Sequence, residues 1–316
     1  MNRAVTPFVA RLAPFAGAIL LAAATLAQGA ALPQPQVTPD KGRVGIGLAP
    51  GWSNLYGGYR SATGDHKVVT EAGAPAPDGV SSAIDYGTFT LHRIGQQALT
   101  AQKLPAAAVR DQYNVVALRV GAIDTTLPQA QALRTAAVKD GKGLHLVQFA
   151  GPVKPEWVKG LEATGVRIVT AIPHNAYLVY GTAAALGGMV AQVRTQAQVQ
   201  WDAPYEPAWR IDTALPVDGE VEVTVQLVDD LTENAATKAM LASMLAAGAT
   251  AREWRSAGYV NLTAKVRAQA IDALAQRPEV VFIERFVAPQ QADELQNMIV
   301  IGNVAGNVAA PGNWLT

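Results

Sequence analysis

The 316-residue chain contains no cysteine. That excludes a disulfide scaffold, a thiol nucleophile, a Cys-ligated zinc or iron–sulfur site, and a thiol for lipid attachment. Net charge is also missing: 25 Lys and Arg balance 25 Asp and Glu, with an isoelectric point near 6.9. Phosphate binding needs a basic excess, so nucleic acid is not the expected partner. Only 16% of residues are charged, against roughly 25% in average usage. Half are apolar, enough for real cores and against wholesale disorder. At about 100–200 residues per domain, the length predicts about two folded units.

The four histidines, His66, His92, His145 and His174, are far apart and show no HExxH or His/carboxylate spacing. No metal site is expected from them. His145 falls within a strand and His174 in a turn, as structural or solvated residues. Gly45-Ile46-Gly47 and Gly51 imitate a dinucleotide loop. They follow no convincing strand, precede no helix, and have Pro50 among them, so they read as a flexible arm and no cofactor is expected.

One apolar run stands out. Arg3 and Arg11 give a positive start, Leu12–Ala27 carries no charge, and Ala27 and Gly29 are small residues before a plausible cut at Ala30. This is the pattern of a secretory signal over residues 1–29. The run is short for a membrane span of about 20 residues and holds Pro14 and Gly17. The expected location is therefore secreted or periplasmic, without stable membrane insertion after the signal is removed.

Residues 30–141 read as a Gly/Pro-rich arm with few elements. Val115–Val120 is a strand candidate there, and Thr126–Val138 a short helix. Residues 142–211 read more clearly. Leu144–Phe149, Val166–Ile172, Ala176–Tyr180 and Val199–Trp201 are strands. One helix starts at Pro155, presents Trp157, Val158 and Leu161 on one side and stops at Gly165. A second is capped by Thr182, with Leu186, Val190 and Val193 inward. Residues 212–288 repeat the order. Val221–Leu227 is a strand and Thr232–Ala247 a helix stopped by Gly248. Thr250–Arg255 and Tyr259–Leu262 form a hairpin. Thr263 caps a helix with Val266, Ala270, Ile271 and Leu274 inward, and Val280–Ile283 closes. Tyr177 to Asp202 and Tyr259 to Glu284 are both 25 residues. The expected fold class is α+β, with two tandem ferredoxin-like (βαββαβ) modules after a signal peptide and an irregular arm. Each sheet is expected to carry two helices on one face and to leave the other open to a partner.

Ser81, Asp85 and His92 lie within twelve residues, and Gly79-Val80-Ser81-Ser82-Ala83 resembles a nucleophile elbow. It fails at Ala83, where glycine is needed, and no strand–helix turn surrounds it. Trp201, Tyr205 and Trp209, in WDAPYEPAW, either staple that segment to the sheet or form an aromatic patch for a partner. Asp202 and Glu284 each follow the last strand of a module. They read as solvated carboxylates, or as caps for a partner's helix N-terminus.

Leu144–Pro152, Glu156-Trp157, Gly165–Val169 and Ile172–Val179 resemble the N-terminal region of secreted bacterial subtilisin-like serine peptidases. Asp293–Gln296 and Gly302–Pro311 are similar to the linker before the catalytic domain, with Leu295 where Arg is expected. Ile123-Asp124-Thr125 resembles the strand end before the first module. The likeness covers about residues 110–316. The family's catalytic signatures are absent: Asp124-Thr125-Thr126 and Asp212-Thr213-Ala214 lack the glycine of Asp-Thr-Gly, and neither His-Gly-Thr nor Gly-Thr-Ser-Met occurs. The resemblance implies modules of propeptide/inhibitor type. It implies a pro-region that is intramolecular chaperone and temporary inhibitor, its partner the cognate subtilisin-like catalytic domain in cis, with residues 289–316 as linker toward it. No catalytic, cofactor-binding or metal residue is assigned to this chain. The alternatives are a stand-alone secreted two-module binding protein without catalytic activity, and a hydrolase dependent on Ser81.

Overall fold

A computed structural model describes residues 59–288 and the backbone of three two-residue strands, Leu48–Ala49, Val304–Ala305 and Val308–Ala309. The expected leader, the Gly45–Gly51 motif and the side chains of the expected linker lie outside the described residues.

The chain is α+β, with several small antiparallel sheets and few helices. The first elements are β1 (Leu48–Ala49), β2 (Asp65–Glu71), β3 (Val80–Asp85), β4 (Phe89–Gly95), α1 (Gln96–Gln102), β5 (Val115–Leu118), β6 (Gly121–Asp124) and α2 (Pro128–Leu133). A first module follows: β7 (Lys142–Phe149), α3 (Pro155–Glu162), β8 (Arg167–Ile172), β9 (Ala176–Thr182), α4 (Ala183–Val193) and β10 (Val199–Pro204). A second has β11 (Glu220–Val228), α5 (Leu231–Ser243), β12 (Arg252–Ser256), β13 (Tyr259–Arg267), α6 (Ile271–Ala275) and β14 (Val280–Arg285). The sheets run β10-β7-β9-β8 and β12-β13-β11-β14. Counted within each module, both orders are fourth, first, third, second. Both last strands carry a bulge, at Gln200 in β10 and Val281 in β14.

Local chemistry explains the element ends. Thr182 caps α4, its Oγ1 accepting from the Ala185 N–H at 3.2 Å. Gly165 sits at φ +86° after α3, where a side chain would strain the backbone. Asp230 caps α5 by accepting from the Glu233 N–H at 3.2 Å, so that helix starts just before the expected Thr232 and ends at Ser243, short of Ala247. Thr263 caps nothing. It and Val266 lie in β13, and only Ile271–Ala275 form α6, after a short 3₁₀ turn. The β-branched residues Val260, Thr263 and Val266 favour strand there.

Residues 59–138 are more regular than the expected arm. They form the sheet β2-β4-β3 and two strands of the sheet β1-β6-β5. Glycines such as Gly73, Gly79 and Gly87, at φ +71° to +81°, mark turns between short strands rather than irregular chain. Buried polar contacts fasten this region to the first module. Thr125 donates to the Gln148 Oε1 at 2.6 Å, and Gln148 Nε2 donates to the Tyr113 carbonyl at 3.0 Å. At the β3–β4 turn, Tyr86 stacks on Phe89 and meets Trp157 of α3 edge-on, while Lys154 Nζ lies 5.2 Å from the Tyr86 ring. A Cβ on Gly151 would lie 2.3 Å from Leu91 Cδ2 and 2.9 Å from the Tyr86 hydroxyl. Gly151→Ala is therefore expected to loosen this seam and cost about 1–3 kcal/mol in chemical denaturation. An unchanged midpoint would show that the seam yields freely.

The expectation of two open sheet faces needs correction. On the helix side, Val147, Phe149 and Val179 pack with Leu186, Met189 and Val193 of α4. On the opposite side of the same sheet, Leu146, Leu178, Tyr180 and Trp201 are buried against Val116, Leu118 and Ile123 of β5 and β6 and Ala130 of α2. Val228 and Phe282 of the second module join that cluster. The first module's outer face is thus an interior layer.

Candidate interaction face

The expected catalytic cluster is not assembled. Ser81 donates to the Arg93 carbonyl at 3.1 Å, and the Asp85 carboxylate accepts from the Gly87 N–H at 2.7 Å. His92 is buried and hydrogen-bonds Thr70 Oγ1 through Nε2 at 2.9 Å; burial lowers its pKa. His66 lies buried between Asp111 at 2.7 Å and Gln96 at 2.9 Å. His174 stands in the β8–β9 turn at φ 64°. Among the described residues no group of three His, Asp or Glu is placed to hold a metal ion.

The aromatic trio is core, not a patch. Trp201 is fully buried and donates from Nε1 to the Ala130 carbonyl at 2.8 Å. Tyr205 donates to the Trp209 carbonyl at 3.0 Å, both side chains being buried. Asp202, expected in solvent, is 0% exposed. The bulge at Gln200 sets Asp202 opposite Val147, on the helix side of the sheet. There it accepts from His145 Nε2 at 3.2 Å, Arg134 Nε at 3.1 Å and Arg194 Nη2 at 3.0 Å. Burial alone would raise its pKa, but the hydrogen bonds and charges of His145 and Arg194 outweigh that and hold it below the ordinary carboxylate range.

Sequence reasoning missed Arg210. Its buried guanidinium donates to the Tyr205 carbonyl at 3.1 Å and, at the end of α6, to the Ala275 and Arg277 carbonyls at 3.3 and 2.8 Å. It clamps the exit of the first module onto the second through the carbonyl end of that helix. Burial pulls its pKa down to about 10. Nothing in the spacing around Pro207 marks it out; the one signal was an arginine directly after Trp209 in a segment with Pro204, Tyr205 and Pro207.

The outer face of the second sheet is buried at its centre, at Thr224, Asn261 and Thr263, and exposed at its margin, at Glu222 and Lys265. Val221, Val223, Val225 and Leu227 face α5 and α6. The alternate residues Glu222, Thr224 and Gln226, with Asn261, Thr263 and Lys265 opposite them on β13, make the outer face polar. Ion pairs border it: Arg252–Glu222 at 3.0 Å, Lys265–Glu220 at 2.7 Å and Arg119–Glu284 at 2.8 Å. Glu284 is thus partly exposed and already paired. The backbone continues past β14, where the Phe286 N–H donates to the Glu222 carbonyl at 2.9 Å, and the Arg252 guanidinium lies 5.1 Å from the Phe286 ring. Trp254 remains 48% exposed on the edge strand. No helix of the described residues is long and apolar enough to cross a membrane.

A family described as "Domain of unknown function (DUF8729)" matches residues 117–206. That stretch runs from within β5 through β10, joining β6 and α2 to the first module as the packing does. No curated protein matches the chain. Among solved structures, the acetolactate synthase small subunit from Thermotoga maritima is similar at 16% identity, over 46% of this chain and 92% of that one, with a TM-score of 0.17. So poor a superposition carries no argument about fold or activity.

Proposed function

We propose that this chain acts as the pro-region of an exported subtilisin-like serine endopeptidase, as intramolecular chaperone and temporary inhibitor, with residues 1–29 as its export signal. On this reading both modules are ferredoxin-like modules of the propeptide/inhibitor type, and the chain itself catalyses nothing. The observation that supports it is the exposed, charged margin of the second sheet, where Arg252, Glu222 and Lys265 lie near Phe286 as the chain leaves for residues 289–316. A partner that binds only this folded face is stabilised by mass action, which is what a folding template does. The burial of the first module's outer face favours a second reading, a stand-alone secreted binding protein, because it leaves one module rather than two for docking. Co-expression with the cognate catalytic domain separates them. The proposal expects more active peptidase after processing and inhibition by added chain, both weakened about tenfold or more by Arg252→Glu with Phe286→Ala. Neither effect from the unaltered chain would overturn it.

A further inference from the structure

We infer that β12 is a self-pairing edge: two copies of this chain join antiparallel through Arg252–Ser256 about a two-fold axis at Trp254.

The argument starts from how the other edges are closed. An outer strand presents a row of unpaired N–H and C=O groups, and proteins blunt such rows with bulges, prolines or covering segments. The sheets β10-β7-β9-β8, β12-β13-β11-β14 and β2-β4-β3 have six outer strands. Bulges break β3, β8, β10 and β14. The edge of β2 is capped by Val109 opposite Val68 and by the Arg110 N–H on the Lys67 carbonyl at 2.8 Å. Among the described residues only β12 has neither device: its pairing with β13 is regular from Arg252↔Thr263 to Ser256↔Tyr259, and all five of its residues are exposed.

The turn then decides which groups point outward. Ala257 and Gly258, at φ 50° and 82°, form a two-residue loop of the primed type, which closes on a hydrogen-bonded pair, Ser256 with Tyr259. Hydrogen-bonded pairs alternate, so Trp254 and Arg252 also bond to β13. The N–H and C=O groups of Glu253 and Arg255 therefore face away from the module.

Those two residues are self-complementary. Antiparallel pairing centred on Trp254 sets Glu253 of one copy opposite Arg255 of the other, twice, as hydrogen-bonded pairs with four backbone bonds. Their side chains lie on the helix side, where Glu253 already meets Lys238 at 2.5 Å and Arg255 meets Asp229 at 2.6 Å. Each new ion pair would extend an existing one. On the outer face the two Trp254 rings come together as a non-hydrogen-bonded pair, in which side chains approach most closely. This accounts for a tryptophan held half in solvent. Five residues a side make a small interface, so the dimer should be concentration-dependent and weakened by salt.

Sedimentation equilibrium of the chain by itself tests this without any peptidase, so its outcome is separate from that of the pro-region reading. The chain should dimerise reversibly. Glu253→Arg and Arg255→Glu should each raise the dissociation constant about a hundredfold by setting like charges face to face. The double variant Glu253→Arg/Arg255→Glu should restore the dimer. Circular dichroism identifies any variant that does not fold, and the double variant then decides. A chain that stays monomeric at its highest soluble concentration overturns the inference. So does a dimer that survives both single reversals, or a folded double variant that does not re-form it.

Discussion

Trp201→Ala is expected to remove about 3–5 kcal/mol of stability, read as a shift in the denaturant midpoint. The indole is completely buried and its Nε1 satisfies the Ala130 carbonyl of α2. It lies on the outer side of the first sheet, in the cluster that joins that sheet to β5, β6 and the second module. Truncation would leave a cavity and an unpaired buried carbonyl together. The damage should be local at first: residues 115–138 should become the first site of proteolytic nicking, since they are held by this layer. Trp254→Ala is the matched control. That ring is half exposed, so its removal should cost under about 1 kcal/mol in the monomer. Similar losses from the two tryptophans would refute the assignment of Trp201 to a buried seam.

Acid should unlock a second seam, around Asp202. Its folded pKa is depressed, so the stability it contributes is fully present above the unfolded carboxyl value of about 3.9 and is lost as pH falls through the lower, folded value. Asp202→Asn should abolish that part of the acid limb. At neutral pH it should destabilise the chain by about 3 kcal/mol, because His145, Arg134 and Arg194 then converge on a neutral amide. The measurement is unfolding free energy against pH for both proteins. Parallel curves below pH 5 would show that Asp202 carries no such linkage.

Much of the architecture was legible in local pattern. The clean alternation of Glu220–Val228 identifies a strand with one polar side, and that side is the outer face of the second sheet. By contrast, Leu144–Phe149 breaks its alternation at the adjacent Leu146 and Val147 and is buried on both sides. That difference already implied that the two outer faces are unlike, although the expectation of two open faces overlooked it. The matched spacing of 25 residues failed in an instructive way. Tyr177 packs on the helix side and Tyr259 on the outer side. By sheet register, Tyr177 and Asp202 both stand opposite Val147, as Leu262 and Ile283 both stand opposite Val225, and those two positions are only 21 residues apart. The repeat is real in topology, while the two carboxylates are not equivalent. A one-residue offset moves every side chain to the other face, and no count along a single chain reveals it.

By itself, then, the sequence determined the strand and helix order of both modules, the absence of thiol chemistry, and most helix starts and stops. These depend on neighbours within a few residues: alternation, caps and glycine turns. Only the tertiary structure decided that residues 59–138 are folded, that Asp202 and Trp201 are interior, and that among the described residues the edge strand β12 has neither a bulge nor a covering segment. Those outcomes depend on which distant segment reaches a surface first, as when β5 and β6 close over the first sheet, and such long-range packing leaves no periodic trace in the segments it brings together.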